Sequence, residues 1–191
     1  MLTKLQKKEL LKHIIGIVGG IPQISRYADK KEDTAVHIVK LEDIPEEGVN
    51  LYTTIGTSDH SIGLKVNDLP LRVEFLFACD ARANMVENML ATCSFNIINT
   101  NYKCYPGVIY NNVISLYLGD TEMKHILFVR PFLWDEYKFK RFDDKIVEWL
   151  LAVPISESEA LYADKNGISQ LEDIFCDRQI DIYDIYRKSV I

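Results

Sequence analysis

The chain lacks several features that would assign it to a common functional class. None of its 191 residues belongs to an apolar run of the roughly 18 residues that a membrane-spanning helix needs. Basic residues precede the apolar stretch 10–18 as in a signal peptide, but Lys12 and His13 interrupt that stretch, and residues 19–22 form a poor cleavage site. The four cysteines include no C-x-x-C pair, which argues against a disulfide framework. These absences predict a soluble protein of a reducing, cytoplasmic compartment.

Motifs for metal binding, phosphate binding and catalysis are also scarce. The histidines at positions 13, 37, 60 and 125 show no H-E-x-x-H or other paired spacing. The glycines at 16, 19 and 20 end a predicted helix, so their amides do not open a helix toward an anion. We therefore expect no metal and no cofactor, and interpret His37 and His125 as structural residues inside strands.

The segment 57–60 is the best candidate for chemistry, since it places Ser58, Asp59 and His60 in consecutive positions. A catalytic triad needs these groups to converge in space, which neighbours in sequence rarely do. The chain also has no G-x-S-x-G elbow. A polar turn explains the segment more simply. A hydrolase or metal enzyme that uses Ser58, Asp59 and His60 with nearby carboxylates is the rival hypothesis.

Negative charge is concentrated near the C-terminus. Residues 157–184 hold eight carboxylates and two basic side chains, so the segment carries −6, which equals the formal charge of the whole chain. Such a segment attracts basic partners and repels nucleic acid, and we expect no nucleic-acid binding. Acidic helices are also common as plain solvated faces. The basic and aromatic residues at 137–142 are explained by an edge strand protected by lysines.

Hydrophobic periodicity predicts both helices and strands. Helices are predicted at 3–18, from an N-cap at Asp80 to about Asn101, and in the acidic segment 156–184, where Ser156 and Glu159 form a capping box. Strands are predicted at 36–41, 49–55, 71–78, 114–118, 125–129, 137–142 and 146–155, and a loop at 25–34. We expect one α/β (α+β) domain spanning 1–191, with a mixed, mostly antiparallel sheet flanked by helices.

Three side chains receive individual predictions. Glu74 alternates with apolar neighbours in strand 71–78 and is expected on the opposite, polar side. Trp149 lies inside an apolar strand and is expected in the core. Trp134 lies close to prolines and acidic residues, so an exposed anchor for a partner is the alternative to a place in the core.

Several segments together resemble the Sufu domain, named for Suppressor of fused. The resemblance runs from about residue 50 to the C-terminal end, with its pieces in the same order. The matching segments are 69–80 (LPLRVEFLFACD), 122–126 (EMKHI), 131–134 (PFLW), 149–157 (WLLAVPISE), 171–175 (LEDIF) and 180–184 (IDIYD), followed by Arg187, Ser189 and Val190.

The resemblance implies a binding protein and transfers no catalytic residues. Animal members sequester transcription factors with a peptide strand held against the domain, and bacterial members are similar to immunity proteins of polymorphic toxin systems. For this chain it implies a toxin of the LXG class with a nuclease-type C-terminal domain. The chain lacks the large C-terminal region of the animal proteins, which argues against the same peptide clamp. A module that captures an extended peptide by adding a strand to its sheet is the alternative hypothesis.

The leading hypothesis is an antitoxin that binds a cognate toxin domain and covers its active site. Nuclease domains carry basic substrate grooves, which an acidic surface can both attract and cover. The candidate partner-binding residues are Glu157, Glu159, Glu172, Asp173, Asp177, Asp181 and Trp134.

Overall fold

The computed structural model describes residues 2–29, 34–134 and 139–191. Within these ranges the helices are α1 (Lys4–Val18), α2 (Val86–Thr100), α3 (Glu157–Asn166) and α4 (Ile168–Arg178). The strands are β1 (Gln23–Ala28), β2 (Ala35–Leu41), β3 (Val49–Ile55), β4 (Lys65–Val66), β5 (Leu69–Asp80), β6 (Ile109–Tyr110), β7 (Met123–Val129), β8 (Lys140–Arg141) and β9 (Ile146–Ser156). A single 3₁₀ turn, Thr57–Asp59, follows β3 in the described chain.

The described strands form one mixed sheet with the order β1-β2-β3-β5-β9-β7-β6. Its two long central strands, β5 and β9, run parallel, with Leu71 opposite Ile146 and Leu76 opposite Leu151. The other neighbouring pairs are antiparallel. The short strand β4 pairs with β5, and the short strand β8 pairs with β9. The predicted mixed, mostly antiparallel sheet with flanking helices is confirmed.

Helices cover both faces of the sheet, so the central strands are buried on both sides. The first core lies between the sheet and α2, where Phe75 and Phe77 of β5 join Met89. The second core lies between the sheet and helices α1, α3 and α4, where Leu10 and Phe175 join Leu76 of the same strand.

This double burial overturns the prediction for Glu74. Its side chain is completely buried, because the strand has no solvent-facing side along most of its length. Trp149 of β9 is also buried, as predicted, and its ring stacks on that of His13 with the centroids 5.1 Å apart.

A local cap explains where α1 begins, whereas α2 begins without a side-chain cap. Thr3 caps α1 and exchanges hydrogen bonds with Gln6 in a capping box, in agreement with the predicted helix 3–18. The predicted N-cap of α2 is wrong: Asp80 ends β5 and pairs with Arg82, and α2 begins after Met85, whose φ is +65°. Asn101 ends that helix in the left-handed conformation.

Three further predictions of local structure differ from the structure. Residues 25–28 belong to strand β1 instead of a loop. The predicted strand 114–118 consists of turns, and β7 pairs with β6 instead. Of the predicted strand 137–142, residues 137 and 138 lie outside the described ranges, and only Lys140–Arg141 is a strand in the remainder.

Candidate partner-binding surface

The C-terminal helices start from a well-defined cap at the end of β9. The hydroxyl of Ser156 accepts a hydrogen bond from the Glu159 amide at 3.1 Å, and the Glu159 carboxylate accepts one from the Ser156 amide at 2.9 Å. This is the predicted capping box. Gly167 ends α3 with φ +100° and leads directly into α4, and both acidic helices pack against the second core.

Glu159 also binds Arg187, which fastens the last residues of the chain. The guanidinium donates to both carboxylate oxygens, at 2.7 and 2.8 Å, and to the carbonyl of Pro154 at 2.9 Å. The amide of Val190 donates to the same carboxylate at 3.1 Å. Glu159 is fully buried and Arg187 is 7% exposed. Glu159 was predicted to contact a partner, and that prediction is wrong because its carboxylate is buried and already binds Arg187 and the Val190 amide.

Further contacts hold the C-terminal segment against the sheet. The Tyr183 carbonyl accepts a hydrogen bond from the Asp80 amide at 2.9 Å. The Glu122 carboxylate accepts from Lys188 Nζ at 2.8 Å and from the Ser189 amide at 2.9 Å, and these donors lower its pKa. The segment after α4 is therefore a fixed part of the surface.

A mostly apolar groove opens between α4 and the strands β7 and β9. Its volume is about 690 Å³. The sheet supplies Leu127, Val129 and Val153, and the helix supplies Glu172, Phe175 and Cys176. The remaining lining residues are Pro106, Arg130, Phe132, Gln179, Ile180 and Ile182. Pockets of this size and lining are the usual place for a ligand or for a partner's side chains.

Most of the predicted acidic residues lie on the surface around this groove. Glu172 lines the groove, Asp173 and Asp177 are exposed on α4, and Asp181 is exposed between two lining isoleucines. Glu157 is also exposed, with its carboxylate 3.2 Å from Nε2 of His125. Because Nδ1 of that histidine accepts the Asn112 amide, its Nε2 carries the proton and donates to Glu157. His125 is thus the structural residue that the sequence predicts.

Trp134 is less accessible than expected. It is half-buried and packs against the second core, whereas Phe132, two residues earlier, is 59% exposed and lines the groove. A partner contact by Trp134 stays a prediction. Sequence reasoning missed Phe132 as a surface residue, because its neighbours are also apolar and give no signal that separates it from a core residue.

The segment 57–60 forms a turn around the buried carboxylate of Glu74. Five donors bind that carboxylate: the hydroxyls of Thr54 and Ser58, each at 2.6 Å, and the amides of Gly56, Thr57 and Ser58, at 2.8, 3.2 and 3.1 Å. Burial raises the pKa of Glu74, and the donors from Ser58, Thr54 and Gly56 oppose this rise.

This turn does not assemble a triad. The Ser58 hydroxyl donates to Glu74, and the Asp59 carboxylate accepts the backbone amide of Leu2. Ser58 is fully buried, so no substrate reaches its oxygen. Burial lowers the pKa of His60, and the structure does not bring its ring together with Ser58 and Asp59 as one hydrogen-bonded relay.

Two other features are missing from the described ranges. In those ranges no group of three or more His, Cys, Asp or Glu side chains is arranged to hold a metal ion. None of the described helices is long and apolar enough to cross a membrane. All four cysteines are free thiols, and Cys176 is exposed while Cys79, Cys93 and Cys104 are buried.

These features define an α+β protein whose fixed C-terminal helices present an acidic surface with an apolar groove. The chain belongs to the Suppressor of fused (SUFU) family, whose sequence profile matches residues 32–188. It is 45% identical over 187 residues to the immunity protein YqcF of Bacillus subtilis strain 168, with 97% of each chain covered.

Solved structures show the same fold. A SUFU homologue from Neisseria gonorrhoeae FA 1090 has a TM-score of 0.74 at 17% identity, with 97% of this chain and 96% of that chain covered. The Sufu–Fu complex has a TM-score of 0.67 at 11% identity, with 96% and 91% covered. Drosophila Suppressor of Fused has a TM-score of 0.59 at 13% identity, and this chain spans 42% of its length. At these identities the likeness concerns the fold alone.

Proposed function

We propose that this chain is an immunity protein that binds and neutralises a cognate toxin in the cytoplasm of the cell that makes both. The observation that carries the proposal is the 45% identity, over nearly the full length, to a protein named as an immunity protein. The toxin proposed is of the LXG class with a nuclease domain at its C-terminus. Neutralisation works by covering the toxin's surface, without turnover.

The surface around α4 supports this mode of action. A nuclease domain needs a basic groove for its substrate, and Glu172, Asp173, Asp177 and Asp181 offer it four exposed carboxylates. A stable interface of the usual size buries about 1,600 Å² in total, which is more than the groove alone provides. The interface proposed therefore includes the outer face of α4 and the residues that follow it.

Growth rescue tests the proposal directly. The toxic domain of the cognate toxin is expressed in a bacterial host with or without the chain, and colony counts and the integrity of cellular DNA and RNA are measured. We expect growth and intact nucleic acid only when the chain is present. An unrelated toxin serves as the control and should kill in both cases. Death of cells that contain abundant folded chain would refute the immunity role, and rescue from a toxin that leaves nucleic acid intact would refute the nuclease part alone.

One structural feature favours a second candidate, capture of an extended peptide. Strand β1 lies at the edge of the sheet, and no other strand of the described ranges pairs with its outer side. The Asp29 amide donates to the Thr34 carbonyl, so by the alternation of antiparallel pairs the backbone groups of Ile24, Arg26 and Ala28 point outward. An added strand would bond to these groups.

Hydrogen exchange separates the two modes. Toxin bound at the C-terminal surface slows exchange of amides in α4 and leaves those of Ile24 and Arg26 unchanged. Peptide capture at β1 produces the reverse pattern.

A further inference from the structure

The groove between α4 and the sheet leaves apolar side chains incompletely packed. Its floor is formed by side chains that are nearly inaccessible to water, namely Leu127, Val129 and Val153 at 1–7% exposure. Its rim carries Phe132, with 59% of its surface exposed. A phenyl ring that stands largely in water beside an apolar floor is costly in a free protein. This arrangement is typical of a surface that completes its packing against another molecule.

The walls of the groove are fixed before any partner arrives. Two sheet strands form the floor, and α4 is held by the burial of Leu171 and Phe175. The Arg187 guanidinium lies 5.3 Å from the Phe175 ring, so the ion pair with Glu159 also supports the wall from behind. A preformed site loses little conformational entropy on binding, which favours a tight complex over a transient one.

The charges at the rim indicate which charged side chains the partner carries next to its apolar ones. Six charged side chains lie in or beside the groove, with a net charge of −2: Glu172, Asp173, Asp177, Asp181, Arg130 and Arg178. The carboxylates of Asp173 and Asp177 are four residues apart on α4 and therefore share one stripe of the helix. That stripe is next to the one that carries Glu172 and Cys176 into the groove. A partner that fills the groove thus meets carboxylates along its flank.

We propose that the groove anchors a segment of the toxin domain in which apolar side chains, aliphatic or aromatic, are flanked by lysine or arginine. The inference rests on the proposed function and identifies the part of the interface that contributes most of the binding energy. At about 690 Å³ the groove is too large for one side chain alone and accepts a pair of neighbouring ones. The apolar pair supplies most of the binding energy, as buried anchors do in other interfaces. The carboxylates set the orientation of the segment and raise the association rate.

Cys176 provides a chemical probe inside the groove. It lines the groove and is exposed, whereas the other three thiols are buried. An accessible thiolate adds across the carbon–carbon double bond of N-ethylmaleimide, and the neighbouring carbon takes a proton from water. The reagent therefore labels Cys176 selectively. In the proposed complex, a catalytically inactive toxic domain should slow this labelling at least tenfold. Chain labelled beforehand should bind that domain at least tenfold more weakly, whereas the same treatment should leave the affinity of a C176S chain at the value of untreated C176S.

Substitution of Phe132 gives an independent readout. We expect F132A to raise the dissociation rate about tenfold while the far-ultraviolet circular dichroism stays unchanged, since the ring is mostly outside the core. Leu116 is a matched control: it is 66% exposed, lies in the turns that pack toward the first core, and does not line the groove. L116A should leave both rate constants unchanged.

The outcomes separate this inference from the function on which it rests. If the wild-type chain rescues growth but Cys176 is labelled equally fast in the complex and F132A binds normally, the groove is not the anchor and the immunity role stands. If labelling of Cys176 in the free chain slows as the concentration of the chain rises, a second copy fills the groove and the inference is wrong. Mass spectrometry that finds a small apolar molecule retained in the groove would refute it in the same way. Absence of rescue by the wild-type chain would refute the proposed function itself.

Discussion

Arg187 reaches back 28 residues in sequence to form a two-pronged ion pair with Glu159, and both side chains are buried. The pair joins the end of the chain to the junction of β9 and α3. It also places the guanidinium beside Phe175, one of the residues that line the groove. The shape of the proposed binding surface therefore depends on a contact that lies beneath it.

Removal of one partner of this pair should destabilise the protein strongly. In E159Q the Arg187 guanidinium stays buried without a counter-charge, which costs about 3 kcal/mol of unfolding free energy. Urea denaturation of E159Q and wild type measures the difference. D164N, on the exposed side of the same helix, should change the free energy of unfolding by less than about 0.5 kcal/mol. Equal midpoints for E159Q and wild type would contradict the role given to the pair.

The Glu74 turn predicts a second stability effect. In E74Q an amide group with its own hydrogens replaces one oxygen that accepts from backbone amides, so at least one buried donor is left unpaired. We expect a loss of about 2–3 kcal/mol, measured by the same denaturation experiment. Glu148, half-exposed on β9, is the matched control, and E148Q should be nearly neutral. A stable E74Q protein would show that the turn does not depend on the carboxylate.

The four thiols should differ widely in reactivity. Burial raises the pKa of Cys79 and of Cys104 to about 12 and also raises that of Cys93, so these three groups hold little thiolate at neutral pH. Ellman's reagent should therefore titrate a single thiol, Cys176, in the folded protein and four in urea. The C176S variant should show no fast phase. Two or more fast thiols in the folded wild type would contradict the packing of the first core.

The exposed carboxylates on α4 should govern the association rate. In a variant that combines E172Q, D173N and D177N, we expect association with the toxic domain to slow about tenfold at low salt and to lose most of its salt dependence. A control that combines E47Q, D120N and D143N removes the same charge from exposed positions elsewhere. Stopped-flow measurements at several salt concentrations compare the two. Equal rates for both variants would show that steering depends only on net charge.

Sequence periodicity predicted the elements whose burial is uniform along the chain. Strand β9 and helix α1 were correct because each carries an uninterrupted apolar face. Strand β1 was missed because its residues are exposed or half-buried, so its sequence carries no alternation of apolar and polar residues. Its Tyr27 even donates to Glu87 of α2 through its hydroxyl. The segment 114–118 was wrong for the opposite reason, since Ile114 is fully buried although it lies in a turn.

The candidate site was predictable only in its charge. The acidic composition of residues 157–184 is visible in the sequence, and four of the chosen carboxylates lie in or beside the groove. The burial of Glu159 was not visible, because its partner is distant in sequence. The groove itself arises from α4, β7, β9 and the loop at Phe132 together, and no local pattern marks such a convergence.

The proposed immunity role means that the chain silences its toxin by occupying it, one molecule for each toxin. Titration of the purified toxic domain with the chain, followed through nucleic-acid cleavage, distinguishes occupation from turnover. We expect cleavage to fall linearly with added chain and to stop at one equivalent. Complete loss of cleavage at a small fraction of an equivalent would mean that one chain inactivates many toxin molecules, and it would rule out one-to-one occupation.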